Sequence, residues 1–215
     1  MKKILILMMS FMTVFFTGCG ESSEKNSTPE KNSVTAEEKV STSDKKILVA
    51  YFSRADENYR VGNITKGNTK IIAEMIAEKV GGDLFEIKPV KNYPANYEEC
   101  IEVAKVELQE KARPEIVGKV ENFQQYDVIF LGYPIWWGDL PMAVYTFLEQ
   151  ENFSGKTVIP FCTHEGSGLG GTEKFVADTT KAKVLQGLAI SGSVAQNEQN
   201  KAKTEVEKWL KDLKF

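Results

Sequence analysis

The chain has 215 residues, with 27 Lys and Arg against 30 Asp and Glu, one His and three Cys. That length suits one domain of about 150–200 residues plus a tail. With 42% hydrophobic and 27% charged residues, wholesale disorder and a polytopic membrane protein are excluded. A net charge of −3 and a pI near 5.5 argue against a nucleic-acid binder. Three Cys are too few for a disulfide scaffold or a Cys-rich zinc site, and one His gives little scope for a metal centre.

Met1-Lys2-Lys3 is a short cationic start, and Ile4 to Phe16 follows without a charge. That apolar stretch has signal-peptide length and is too short to span a membrane. Phe16-Thr17-Gly18-Cys19 then places a small residue just before a Cys. The segment resembles the lipobox of bacterial lipoproteins, with Phe16 where Leu is usual. The resemblance implies a signal peptide over residues 1–18, a diacylglycerol on the Cys19 thiol, and attachment to the extracytoplasmic face of a membrane, at the cell surface or on the periplasmic side. A plain secretory signal that ends near a Cys is the alternative. Loss of Lys2 and Lys3 with the leader takes the net charge from −3 to −5. Residues 19–45 are Ser, Glu, Lys, Asn and Thr with scattered Val and Ala, and have no apolar period. Such a stretch cannot bury enough surface to fold. As a random coil it spans about 30 Å and serves as a tether.

From Lys46 the pattern alternates strand and helix. Residues 46–52 (KILVAYF) form a continuous apolar run, as in a strand covered on both faces. Residues 67–80 carry Ile71, Ile72, Met75, Ile76, Ala77 and Val80 at helical spacing, and Gly81-Gly82 stops that helix. Residues 83–90 read as a second strand and 96–112 as a helix. Residues 127–133 (DVIFLGY) are a third, buried strand. Residues 141–149 are a helix with Pro141 in its first turn, where a missing N–H costs nothing. Residues 156–163 (KTVIPFCT) are the fourth strand, 172–180 a helix, 184–190 the fifth strand and 196–214 an amphipathic helix. Repeated strand–helix units demand right-handed crossovers. The expected fold over 46–215 is therefore α/β, a doubly wound five-stranded parallel sheet in a three-layer α/β/α sandwich. Ligands of such sheets sit outside the carboxyl ends of the strands. Cys100 and Cys162 are too far apart in this arrangement to pair.

Three loops stand at those ends. The first runs from Ser53 to Lys66 and delivers Gly67-Asn68-Thr69 to a helix start, where free N–H groups favour an anion. Ser53, Asn68 and Thr69 add donors and Arg54 adds charge; a simple N-cap without a ligand is the alternative. The second is Pro134-Ile135-Trp136-Trp137-Gly138, whose adjacent indoles suit a planar ligand. Neighbouring residues cannot face the same way, so one indole meets the ligand and the other packs inward; core or interface packing of both is the alternative. The third carries Thr163, His164, Glu165, Gly166, Ser167 and Gly168, a Gly-rich backbone that can approach a ligand closely. It is not a Walker loop, and it follows the fourth strand rather than the first. A flexible surface loop is the bland reading.

Together the segments ILVAYFS…GNT, FLGYPIWWGDLP and PFCTHEGSG resemble the flavodoxin family over residues 46–215. The resemblance implies strand order 2-1-3-4-5 and a non-covalent FMN. It places Ser53, Gly67, Asn68 and Thr69 in the phosphate loop, Pro134 to Gly138 in the ring-binding loop, and Thr163, Glu165, Gly166, Ser167 and Gly168 in the third. Backbone N–H groups of 136–138 and 165–168 would hold the pyrimidine edge. Residues 55–66 are an insertion in a phosphate loop that is normally short, and the third loop is similar to that of NAD(P)H:quinone reductases. An electron carrier serving a redox partner protein or a small-molecule acceptor is the first functional expectation. An FMN-dependent NAD(P)H:quinone-type reductase is the second, and a non-redox flavin-binding or interaction module the third. His164 reads either as a donor to a flavin or quinone oxygen or as a solvated loop residue, and no catalytic acid or base is required for electron transfer.

Overall fold

A computed structural model describes residues 45–215. The expected signal peptide, Cys19 and nearly all of the tether lie outside the described residues. In the main sheet, β1 (Ile47–Tyr51) is flanked by β4 (Asp83–Glu86) and β5 (Val128–Pro134). Beyond β5 lie β6 (Thr157–His164) and then β7 (Lys183–Val184) with β8 (Leu188–Ser191), every pair parallel. Taking β7 and β8 as one interrupted strand, this is the expected order 2-1-3-4-5.

The apolar runs are continuous because alternate residues enter different cores. Leu48, Ala50, Ile129, Leu131, Val158 and Cys162 face one layer, with Ala143, Val144 and Phe147 of α3 (Met142–Gln150) and Val176 of α4 (Thr172–Thr180). Ile47, Val49, Val128, Phe130, Ile159 and Phe161 face the other, with Ile72 and Ile76 of α1 (Asn68–Val80) and Val206 and Leu210 of α6 (Gln199–Asp212). Gly132 is compelled by this packing, since a β-carbon there would lie 2.2 Å from the Phe161 ring. Cys100 and Cys162 are both buried and free.

The expected helix ends hold to within two residues for α1, for α2 (Tyr97–Glu110) and for α3 and α4. Asn96 caps α2 by accepting the Glu99 N–H at 3.0 Å. Gly81 ends α1 in a left-handed conformation, its N–H donating to the Ala77 carbonyl at 2.8 Å.

Four segments differ from expectation. The second strand stops at Glu86, because residues 88–90 turn to pair with 115–117: the Val90 N–H donates to Glu115 O at 2.8 Å and the Val117 N–H to Lys88 O at 2.7 Å. The fifth strand is broken at Gln186-Gly187. There the Gly187 N–H donates to Glu173 Oε1 (2.8 Å) and Trp209 Nε1 donates to Gln186 O (3.2 Å), so both ladder groups are engaged by side chains. The last helix is two, α5 (Gly192–Asn197) and α6, separated at Glu198 with φ −130° and ψ 48°. The insertion of 55–66 forms an antiparallel hairpin, β2 (Asp56–Asn58) with β3 (Gly62–Ile64).

Candidate functional site

One cleft of about 270 Å³ opens at the carboxyl ends of β1, β5 and β6. Arg54, Asn58, Tyr59 and Asn68 line it from the first loop, Pro134, Ile135, Trp136 and Trp137 from the second, and Thr163, His164 and Glu165 from the third. Tyr97, Cys100, Ile101 and Ala104 of α2 complete the wall.

The floor is the start of α1. Gly67 sits under Ser53 and Arg54 so closely that a β-carbon would lie 2.2 Å from Ser53 Oγ and 2.5 Å from the Arg54 carbonyl oxygen. Ser53 Oγ accepts the Lys70 N–H at 3.0 Å, and Gly67 O accepts the Ile71 N–H. The cap residue itself, Gly67, has no side chain to offer the first turn. The N–H groups of Asn68 and Thr69 thus have no acceptor among the described residues, which leaves the positive end of α1 open to an anion. The Thr69 and Thr163 hydroxyls share a hydrogen bond of 2.8 Å, joining the first loop to the third. Asn68 is braced by Gln196 Nε2, which donates to Asn68 Oδ1 (2.8 Å) and Lys66 O (2.7 Å).

The second loop is a two-residue turn. Trp136 and Asp139 exchange both N–H···O bonds at 3.0 Å. Trp137 and Gly138 between them have φ of 52° and 79°, the geometry of a type I′ turn. A tryptophan with positive φ is strained by roughly 1–3 kcal/mol. The turn separates the two indoles as expected. Trp136 packs edge-on against Phe52 (5.3 Å) and Tyr93 (4.9 Å), whereas Trp137 stays 51% exposed at the mouth. Trp137 Nε1 donates to Ile101 O at 2.9 Å, and Lys105 Nζ lies 5.5 Å from the ring centre.

In the third loop His164 Nδ1 accepts the N–H groups of Gly166 (2.9 Å) and Gly168 (3.2 Å). Burial holds the imidazole below its ordinary range, against the opposing pull of the Glu165 charge. Glu165 Oε1 accepts from the Ser193 N–H (2.7 Å) and Oγ (2.8 Å), and Oε2 from Ser191 Oγ (3.3 Å). Burial also raises the thiol of Cys100, and that of Cys162 to about 12, so both stay protonated near neutrality.

The structure therefore brings residues of all three loops to one rim, with differences of role. Ser53, Gly67 and Thr69 lie in the floor rather than the lining, and Gly138, Gly166, Ser167 and Gly168 stand outside the lining. Arg54 does not offer its charge to the α1 end. Its guanidinium donates to the carbonyls of Glu57, Pro94 (2.6 Å) and Ala95 (2.7 Å), and its buried Nε has no partner. Of the backbone N–H groups of 136–138 and 165–168, those of Trp136, Gly166 and Gly168 donate within the protein. Not singled out from the sequence are Asn58 and Tyr59 on the hairpin, Cys100, Ile101 and Ala104 of α2, and Ser191 to Ser193 behind Glu165. Tyr59 and Tyr97 stack with ring centres 5.9 Å apart. A helix with one small-residue side, Cys100 and Ala104 four apart, was the available signal for the α2 face.

A parallel doubly wound sheet with an open helix start and an aromatic turn at one rim defines an α/β ligand-binding protein of the flavodoxin-like type. The flavodoxin family pattern matches residues 46–213, and the chain belongs to the flavodoxin family. A crystal structure of a candidate flavoprotein from Bacteroides eggerthii is 32% identical, with a TM-score of 0.63, over 78% of this chain and 97% of that one. A candidate flavoprotein from Bacteroides uniformis is similar at 32% identity and TM-score 0.62, over 78% and 99%. A flavoprotein from Lactobacillus acidophilus, solved in complex with FMN, shares the fold at 24% identity and TM-score 0.56, over 77% and 98%. No curated protein matches the chain.

Proposed function

We propose that the chain is an FMN-binding electron-transfer protein held at the extracytoplasmic face of a membrane by a lipid on Cys19. Family membership and an FMN-bound relative of the same fold support the cofactor. The observation that carries the reading is the meeting, in one cleft, of the open α1 start at Asn68 with the Trp136-Trp137 turn. An anionic group and a flat ring joined in one molecule fit those two features.

FMN supplies reversible one- and two-electron chemistry when bound; the chain's part is to bind and orient it. The Asn68 and Thr69 N–H groups would hold the phosphate. Trp137 offers an exposed aromatic face, and the inward Trp136, locked by Phe52 and Tyr93, keeps the turn in place. Thr163, His164 and Glu165 wall the remaining side. No proton needs to move through a side chain for an electron to leave.

A visible spectrum of the purified protein tests the cofactor: a yellow protein that bleaches on reduction and recovers in air is expected, and a colourless one that refuses added FMN rejects the reading. A second reading, an FMN-dependent reductase taking hydride from NAD(P)H to a quinone-type acceptor, is favoured by the extra wall of Asn58, Tyr59 and Tyr97. Brisk turnover with NADPH and a soluble quinone selects it over the simple carrier. For the anchor, Cys19→Ser is expected to release the protein from membranes, while deletion of residues 20–44 leaves FMN affinity unchanged. Continued membrane association of the variant counts against lipidation.

A further inference from the structure

Two backbone N–H groups of the Gly-rich loop converge on one imidazole nitrogen. His164 Nδ1 accepts from Gly166 at 2.9 Å and from Gly168 at 3.2 Å. Gly166 and Gly168 hold φ of 123° and 61°, conformations that glycine adopts at little cost. The loop therefore folds back onto the ring. A nitrogen that accepts N–H bonds carries no proton, so the neutral ring has its hydrogen on Nε2. Burial favours this neutral form at pH 7.

What the ring fixes is a wall of the cleft. Thr163, His164 and Glu165 line it. Thr163 is tied to Thr69 and Glu165 to Ser193, while Cys162 Sγ donates to Gly168 O at 3.4 Å and draws the far side of the turn back to β6.

We propose that His164 is the positioning residue of the site: its unprotonated Nδ1 gathers the Gly166 and Gly168 N–H groups and holds the third loop in the shape that walls the cleft. The consequence for affinity rests on the FMN reading above; the loop geometry does not. Protonation turns Nδ1 into a donor facing two donors, and the turn must open. A preorganised wall binds more tightly than one ordered on binding, so FMN affinity falls in acid, below the ordinary imidazole range. Several ionisable groups surround the ring. Glu165 is adjacent and favours the cation, but its carboxylate is engaged by Ser191 and Ser193. Arg60 at the hairpin tip interacts with Glu165. Arg54, Tyr59, Tyr97 and Cys100 line the other walls, and Glu173 of α4 is held by the Gly187 N–H.

The test uses the full-length protein labelled with ¹⁵N on glycine and histidine, first without flavin. The Gly166 and Gly168 amide resonances are expected to shift with the His164 titration, and the neutral ring to show its proton on Nε2. FMN added as the probe is then expected to bind about tenfold more weakly once the ring is protonated, the worth of roughly one hydrogen bond. FMN's own phosphate titrates near pH 6, so His164→Asn supplies the reference. Its Oδ1 takes the place of Nδ1 and does not titrate. His164→Leu loses about tenfold at pH 7, and His164→Asn recovers most of that loss while keeping only the phosphate's pH dependence. A proton on Nδ1 of the neutral ring, or glycine amides indifferent to the titration, overturns the proposal whatever FMN does. Equal loss in folded Asn and Leu variants overturns it as well. Failure of the wild-type protein to bind FMN at any pH defeats the preceding reading instead, and the amide titration still decides the loop.

Discussion

Thr69 and Thr163 lie 94 positions apart, and their hydroxyls meet at 2.8 Å beneath the cleft, both side chains almost wholly buried. That contact ties the start of α1 to the end of β6, so the two loops it joins share one geometry. Changing either residue to Val keeps the volume and strands the partner's hydroxyl, at a cost of about 1–3 kcal/mol. Changing both removes the stranded group. Urea unfolding of the two single variants and the double is expected to be non-additive, the double losing less than the sum of the singles. Strict additivity would mean that the hydroxyls do not interact.

Gly67→Ala is expected to cost about 1–3 kcal/mol through overpacking and to weaken FMN binding. The constraint is space, since the backbone at Gly67 is extended, with φ −65° and ψ 150°. Adding Ser53→Ala clears only one of the two clashes, because the Arg54 carbonyl remains 2.5 Å from the new methyl. Thermal melts of G67A and S53A/G67A check this, and full recovery in the double variant would place the whole clash on Ser53 Oγ.

The two indoles should respond oppositely. Trp136→Ala empties a half-buried site among Phe52 and Tyr93 and is expected to cost about 2–3 kcal/mol of stability. Trp137→Gly relieves a positive φ while losing the bond to Ile101 O, leaving stability within about 1 kcal/mol of wild type. It should lower FMN affinity three- to tenfold, as loss of one stacking partner worth about 0.5–1.5 kcal/mol implies. Melting temperatures with a fluorescence titration distinguish the two, and a larger stability loss in W137G than in W136A contradicts the assignment.

Glu149 forms a two-pronged pair with Arg113, at 2.6 and 2.8 Å. The guanidinium beside it holds the carboxyl below its ordinary value of 4.5. The pair's contribution is therefore complete above that value and disappears as pH falls through the lower folded one. Because Glu149 is 46% exposed, the expected loss in Glu149→Gln at pH 7 is under about 1 kcal/mol. The difference between wild type and variant should vanish in acid, and a difference that persists there assigns the effect to packing.

The buried strands and the long helices were legible because each carries its own periodicity. Residues 47–52 and 128–133 are short unbroken apolar runs, as expected of strands covered on both faces, and Gly81 stops α1 on its own chemistry. The hairpin of 55–66 was not legible, since Asp56 to Asn58 and Gly62 to Ile64 lack apolar alternation. It is held by contacts with a distant segment: Glu57 Oε2 accepts from Asn96 Nδ2 (2.9 Å) and the Tyr97 N–H (3.0 Å). The break at Gly187 depends on Glu173 and Trp209, which no local pattern reveals. In the site, the loops were visible as composition and the roles within them were not. Arg54 looks like free charge until its carbonyl partners are known, and a His in a Gly-rich stretch does not announce that two N–H groups turn toward it.

Lys46 is secured at the amino margin of the sheet, its N–H donating to Asp127 Oδ2 at 3.0 Å and its Nζ reaching Asp83 Oδ2 at 2.8 Å. The chain thus enters the domain at the pole opposite the cleft. Under the lipid anchor proposed above, attachment through that pole would leave the rim of the cleft clear for donors and acceptors.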